Sequence, residues 1–423
     1  MDRIVGADSL PPGAEKMRRL MHYGQIMQSH ALHFFHLSSP DLLLGFDAPP
    51  AARNIVGVAR AYPEIARKGV MLRKFGQELI RVTAGKRVHG TGSVPGGMNR
   101  HLSRGDRDAL LGQWPQMLQW AQEAVDIIER LYEENRAAFD EFGSYEAAML
   151  SLVRADGALD LYDGRLRARD ARGRVLVDQA DAQDYLAILE EEVRSWSYMK
   201  FPYLRALGRE QGWYRVGPLA RIQNCDFIPT ALAEERRQAF LASAGPGPVH
   251  ATLAFHRARM IEMLHSVEVI GGLLRDDDLL QGELSVRGER RKEGVGILEA
   301  PRGTLIHHYR VGDDDLVTMC NLIVSTTHNN QAMNETIGSV ARQVFDGREI
   351  TEGMLNRIEV AIRAYDPCLS CATHALGRMP LLVTALDPAG EVVDAVLRTD
   401  AGALERLPAA PRTDAGAAER REP

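Results

Sequence analysis

Tyr365-Asp366-Pro367-Cys368-Leu369-Ser370-Cys371-Ala372-Thr373-His374 holds two of the four cysteines in the sequence and a histidine three residues beyond the second. Thiolates are soft ligands that suit zinc, iron clusters, copper(I) or nickel, and two of them with an imidazole so close together make a dense donor set. A metal site is the first expectation. A thioredoxin-type redox pair normally follows a strand at the start of a βαβ unit, whereas this pair lies near the end of the chain. A zinc knuckle needs four ligands, yet Cys225 and Cys320 stand alone in apolar or mixed sequence. Small cysteines that merely fill a core describe Cys225 and Cys320 well and the 368/371 pair poorly.

Working outward, a pattern of apolar residues from Thr351 to Ala364 reads as a helix that delivers this motif, because Pro367 stops its continuation. Upstream, Val295 to Val311 and Leu316 to Ser325 read as strands around an Asp313-Asp314-Asp315 turn. Helical spacing covers Ala251 to Leu274, Ala182 to Trp196, Asp106 to Phe142, Arg67 to Ala84 with Gly85 as its cap, a segment after Pro49-Pro50, and the opening segment after Pro11-Pro12. Between 148 and 178 the period changes to short apolar runs separated by Asp156-Gly157, Asp163-Gly164 and Arg172-Gly173, the signature of a small antiparallel sheet inserted in a helical body. His22, His30, His33 and His36 ride on the first helix, but their spacing spreads them over more than one face, which reads as core and surface histidines. The loop His89 to Gly97 lacks both the Lys-Ser/Thr ending of a P-loop and the spacing of a dinucleotide fold, so it reads as a tight loop near the active centre. No other stretch offers a nucleotide fingerprint, and NAD binding by this chain itself is not expected.

With 423 residues, 45% of them hydrophobic, 26% charged and a net charge of -6, the chain is ordinary globular material. It has no basic cluster of the size a nucleic acid needs, and its mild acidity disfavours an anionic membrane. The opening Met-Asp-Arg-Ile-Val-Gly carries no signal peptide, and no apolar run approaches the roughly 20 residues of a membrane span. Cytoplasmic location is the expectation, and cysteines outside any disulfide framework agree with it.

Asp366-Pro367-Cys368 with Cys371 and His374 resembles the C-terminal metal motif of nickel-iron hydrogenase large subunits, Asp-Pro-Cys-x-x-Cys-x-x-His. Other stretches are similar to the same family, in particular to its soluble, bidirectional, NAD-reducing members. They are Gln28-Ser29-His30 with Phe34-Phe35-His36-Leu37, Val94-Pro95-Gly96-Gly97, Trp196 to Leu204, Arg215-Val216-Gly217-Pro218-Leu219, Glu299-Ala300-Pro301-Arg302-Gly303-Thr304 and Thr326-Thr327-His328-Asn329-Asn330. The resemblance runs over nearly the whole chain. It implies a mainly α fold with small antiparallel β insertions, α+β overall, with a large-subunit body over 1–374 and an extension over 375–423 that is removed on maturation. One departure stands out: the family holds its nickel with four thiolates, two of them in an N-terminal Arg-x-Cys-Gly-x-Cys motif, and the first cysteine here is Cys225. Met1 to Leu20 look like family sequence that follows that motif, so the expectation is a chain that starts inside the family's sequence. The alternative is a non-catalytic hydrogenase-like subunit, comparable to the quinone-site subunit of respiratory complex I.

The resemblance also implies roles. Cys368 is the terminal nickel ligand and Cys371 the bridge to an iron that carries cyanide and carbon monoxide. Arg302, next to Pro301, hangs over the open metal position, Thr326 donates to a cyanide, and Asp366 is a carboxylate near Arg302, although by sequence alone it equally caps the turn before Pro367. His374 helps to hold a magnesium or iron ion. The implied reaction is heterolytic cleavage of hydrogen. Electrons then leave through a small subunit with iron-sulfur clusters toward diaphorase subunits with FMN and NAD, and a maturation endopeptidase and nickel chaperones act on the precursor.

Overall fold

The helix Pro12–Leu32 opens with a proline, whose missing N–H is no loss in a first turn, and buries Met17, Leu20, Met27 and Ala31 at three- and four-residue spacing. Beside it the helix Pro63–Ala84 buries Leu72, Phe75, Leu79 and Ile80 and ends at Gly85, a left-handed cap with φ of 83°. The two cross at Gly24 and Gly76, where a Cβ on Gly76 would come within 2.7 Å of the Gly24 carbonyl oxygen. The first helix does not stop at Leu32: it passes into a π-helical turn, His33–Ser38, and resumes as Ser39–Leu44. The computed structural model describes residues 1–345, 350–368, 381–387, 389–398 and 403–407.

Ala254–Leu274 is buried almost all round, its polar residues included. It packs against Arg104–Glu134, Pro12–Leu32, Ala231–Ser243 and Pro218–Asn224. Its polar residues therefore need internal partners: Arg257 takes Glu129 at 2.6 Å, and His265 Nδ1 meets Thr230 Oγ1 at 2.9 Å.

Two sheets lean on this helical body. In one, Ala148–Val153 pairs antiparallel with Arg165–Arg169 and parallel with Tyr214–Arg215, with Val175–Ala180 on the outer edge. In the other, Gly303–Val311 runs antiparallel between Glu293–Ala300 and Val317–Ile323. Gly303 pairs with Ala300, so Pro301 and Arg302 form a two-residue hairpin turn. Leu150, Leu152, Leu166, Val216, Val295, Ile306 and Ile323 fill one apolar cluster between the sheets.

The architecture is the α+β fold read from the sequence, with local differences. Ala182 to Trp196 is not one helix. Only Ala182–Asp184 and Tyr185–Ile188 are helical turns, and Leu189–Glu192 is a strand paired with Phe201–Leu204. The glutamates favour a helix on their own, but a partner strand that buries Leu189 against Leu204 overrides that local preference. The helix Asn330–Val344 was not anticipated. The loop around Gly96 and Gly97 sends its contacts to Asp2, Arg18 and the Leu284 to Val286 segment. Near the end, Leu381–Leu386 and Val392–Arg398 pair antiparallel and Leu404–Arg406 adds a third strand, while Val396 packs with Ile350 and Leu355. Among the described residues no helix is long and apolar enough to cross a membrane.

Candidate metal centre

The helix Glu352–Ala364 begins at Thr351, whose hydroxyl accepts from Met354 N at 3.3 Å, and delivers the motif at its far end. Asp41 holds its flank, accepting from Asn356 Nδ2 at 3.0 Å and from the Arg363 guanidinium. Pro367 cannot continue the helix, and Asp366 turns out of it with φ of 55°, a left-handed conformation that aspartate tolerates better than most residues. Buried side chains satisfy the last carbonyls: Arg259 Nη2 donates to Ala364 O at 2.9 Å and His33 Nε2 to Arg363 O at 2.6 Å. Tyr365 adds a third anchor, its hydroxyl 2.8 Å from Thr336 Oγ1 and its ring against Phe255.

Onto this fixed end come the residues singled out in the sequence. Arg302, at the hairpin tip, reaches Asp366 twice: Nε donates to its backbone carbonyl at 2.6 Å and Nη2 to Oδ1 at 3.2 Å. Asp366 is buried and its Oδ2 has no partner among the described residues. Burial pushes the carboxyl pKa up, while Arg302 and Arg259 pull it back. Two residues on, the Cys368 N–H donates to Thr326 Oγ1 at 3.1 Å, which leaves the hydroxyl proton for a further acceptor. Arg302, Pro301, Thr326, Asp366 and Cys368 are thus brought together. Cys371 and His374 lie outside the described residues.

The Pro301-Arg302 turn is closely fitted. A Cβ on Gly303, with φ of 139°, would lie 2.3 Å from Val216 Cγ2, and one on Gly217 would lie 2.8 Å from Arg302 O, so both chains pass there only as bare backbone. Ser325 Oγ donates to Gly303 O at 2.7 Å, and Asn329 Oδ1 accepts from Val216 N at 2.9 Å. Beneath the turn Arg221, fully buried, bonds Glu262, Glu299 and the carbonyls of Ala300 and Pro301. Arg221, Arg259 and Glu262 were not singled out from sequence. Their signal was there: charges set in segments otherwise apolar enough to be core must be paired or functional.

Cys225 is buried, with its thiol pKa pushed up to about 12 by burial, and Cys320 stands exposed on its strand. Among the described residues no group of three or more His, Cys, Asp or Glu side chains is placed to hold a metal. His30 Nε2 instead faces Glu262 at 3.1 Å, and His22 Nε2 lies between the carbonyls of Leu161 and Glu299.

Residues 162–374 match the family of nickel-dependent hydrogenases. The chain belongs to that family. This hydrogenase subunit is 48% identical over 409 residues to the NAD-reducing hydrogenase HoxS subunit beta of Cupriavidus necator, an alignment that covers 93% of this chain and 84% of that protein. Its structure is similar to the crystal structure of an NAD+-reducing NiFe hydrogenase in the H2-reduced state, with a TM-score of 0.86 and 58% identity over 88% of this chain and 83% of the other. The NiFeSe hydrogenase of D. vulgaris Hildenborough shares the fold at 20% identity, with a TM-score of 0.68 over 88% of this chain and 84% of that one. A nickel-iron centre suits the donor types that the helix end brings together: the soft sulfur of Cys368, the Thr326 hydroxyl beside it, and a buried carboxylate oxygen on Asp366 with no partner among the described residues.

Proposed function

We propose that this chain is the catalytic large subunit of a cytoplasmic nickel-iron hydrogenase that cleaves hydrogen reversibly and heterolytically and passes the electrons to a partner subunit and on to NAD(P). The observation that carries this reading is the meeting of Cys368, Asp366, Arg302 and Thr326, from three separate stretches, at one helix end. Cys368 and Cys371 would hold the nickel, the first as the terminal thiolate and the second as the one shared with the iron. Thr326, whose oxygen accepts from the Cys368 N–H, would donate its hydroxyl hydrogen bond to a cyanide on the iron, and Pro301 would line the same position. His374 helps to hold a magnesium or iron ion. When bound, the centre supplies the splitting of hydrogen into unlike halves.

Arg302 supplies fixed positive charge beside that event. Its guanidinium presents a planar set of donors. Asp366 takes two of them, through its carbonyl and its carboxylate, which sets the plane and leaves the other N–H groups for the reacting position. Preset donors of this kind stabilise developing charge without reorganising at the moment of reaction. Cys225 and Cys320 have no spacing that would bind a cluster. Electrons therefore leave through a small subunit with an iron-sulfur cluster and diaphorase subunits with FMN and NAD. Residues 1–374 form the retained body, and a maturation endopeptidase removes 375–423 after nickel chaperones have loaded the metal.

The test is the complex purified from its native host. Stoichiometric nickel and iron, hydrogen-dependent NAD reduction and a subunit that ends at His374 are the expected results. A metal-free, inactive subunit that keeps its tail to Pro423 would overturn the reading and leave a non-catalytic hydrogenase-like subunit, related to the complex I quinone-site subunit.

A further inference from the structure

We propose that Arg221 is a positioning residue for the hydrogenase reaction, holding the Pro301-Arg302 turn where Arg302 engages Asp366. The inference rests on the reading of Arg302 as acting at the metal centre. Arg221 sits on the helix Pro218–Asn224 and is fully buried. Its Nε and Nη2 grip the Glu262 carboxylate as a fork, at 2.6 Å each. Nη1 donates to Glu299 Oε2 at 2.9 Å and to Ala300 O at 2.8 Å, and Nη2 also reaches Pro301 O at 3.2 Å.

An arginine whose work ended at neutralising two carboxylates needs no contact with the turn. Here two donors meet the two consecutive carbonyls that precede Arg302. Peptide planarity then leaves the Arg302 backbone little freedom, since the unit that joins it to Pro301 is fixed at its oxygen. The carboxylates that orient Arg221 are themselves anchored. Glu262 lies on the buried helix Ala254–Leu274 and faces His30 Nε2 at 3.1 Å. Glu299 accepts from Leu152 N at 2.9 Å and from Thr304 Oγ1 at 2.8 Å. Through one guanidinium the turn is thus referred to two helices and, through Glu299, to the strand Ala148–Val153. Gly217 lies just ahead of Arg221's own helix and passes under Arg302 O, so main chain and side chain of one segment both meet the turn. A lysine would keep the charge, but a single ammonium cannot span two carboxylates and two carbonyls as a planar fork does.

The experiment uses the complete, metal-loaded complex with Arg221→Lys, Glu299→Gln, Arg302→Lys and the double variant Arg221→Lys/Arg302→Lys. Each is measured for kcat, KM for hydrogen, nickel content and amide hydrogen exchange of residues 299–305. Small misplacement of a catalytic group is worth up to about 100-fold in rate. Arg221→Lys, with nickel retained, is therefore expected to lower kcat about 10- to 100-fold with KM within about twofold and to speed exchange in the turn. The double variant is expected to be no slower than Arg302→Lys alone, because residues that act as a unit are not additive. Glu299→Gln, which removes one charge-assisted bond to Arg221, shows the same pattern at about 3- to 10-fold and decides the matter if Arg221→Lys does not fold. A nickel-loaded Arg221→Lys enzyme with unchanged kcat, or with a loss that multiplies that of Arg302→Lys, overturns the positioning role and leaves the Arg302 reading intact. Full activity in Arg302→Lys overturns that reading, and the positioning role falls with it.

Discussion

Arg221 and Arg259 are both fully buried, on helices that pack against each other, and their surroundings are opposite. Burial disfavours the charge on Arg221, but Glu262 and Glu299 more than offset it. Among the described residues Arg259 has only the carbonyls of Ala364 and Phe255 as partners and an Nε with none, and burial draws its pKa down to about 10 despite the attraction of Asp366 and Glu262. The compensated cation defines geometry, because its bonds are strong and directional. The poorly compensated one works through its field. His33 and His256 stack with centroids 5.5 Å apart, and their pKa values are driven well below the usual range by burial first and by Arg259 next.

The contrast can be broken most forcefully with acid. His22, His30 and His265 are held down to about 4 and His328 to about 3, all chiefly by burial. An unfolded chain takes up protons near pH 6.5 that the folded chain refuses. Stability therefore falls as the pH drops from 6.5 toward 4, by about 1.4 kcal/mol per pH unit for each such histidine and about 6 kcal/mol per pH unit for the four together. Urea midpoints at pH 7, 6 and 5 check this, and a flat profile would mean that these rings are not buried in neutral form. In Arg259→Met the slope should be shallower, since His33 and His256 lose a repelling neighbour.

A smaller effect separates the arginines directly. Arg221→Met strands two buried carboxylates and should cost about 3–5 kcal/mol, whereas Arg221→Met/Glu262→Leu/Glu299→Leu should recover most of that stability while leaving the turn unheld. Arg259→Met loses a bond worth about 1 kcal/mol and also removes a poorly compensated charge, so its urea midpoint should stay within about 1 kcal/mol of the parent. Equal losses for the two single variants would erase the distinction. Smallest of all, Thr326→Val removes the acceptor of the Cys368 N–H and should lower the thermal midpoint by the equivalent of about 1 kcal/mol, with Thr326→Ser restoring it.

What could be read in advance follows the same division. Asp366-Pro367-Cys368 declared itself because a proline's rigidity and a thiolate's softness are properties of the residue, and Arg302 and Thr326 came with stretches of recognisable type. Arg221 did not, because its meaning lies in partners 41 and 78 residues away that no local pattern links. Leu189–Glu192 misled for a related reason: three glutamates speak for a helix until Phe201–Leu204 arrives beside them. The fold was legible where periodicity is local, and the support of the site was not, since it is made of long-range bonds between fully buried charges.

The π-helical turn His33–Ser38 is, in the arithmetic of the chain, a phase shift. Each residue of an α-helix advances about 100° around the axis, so one extra residue rotates all that follows by that amount against all that went before. Before the turn, His30 is aimed at Glu262; after it, Asp41 is aimed at Asn356 and Arg363 on the helix that carries the cysteine motif. Deleting a single residue between 33 and 38 would leave the formal charge and the sequences of both flanking helices unaltered. It would nonetheless put the body and the motif helix out of step, the structural counterpart of a frameshift.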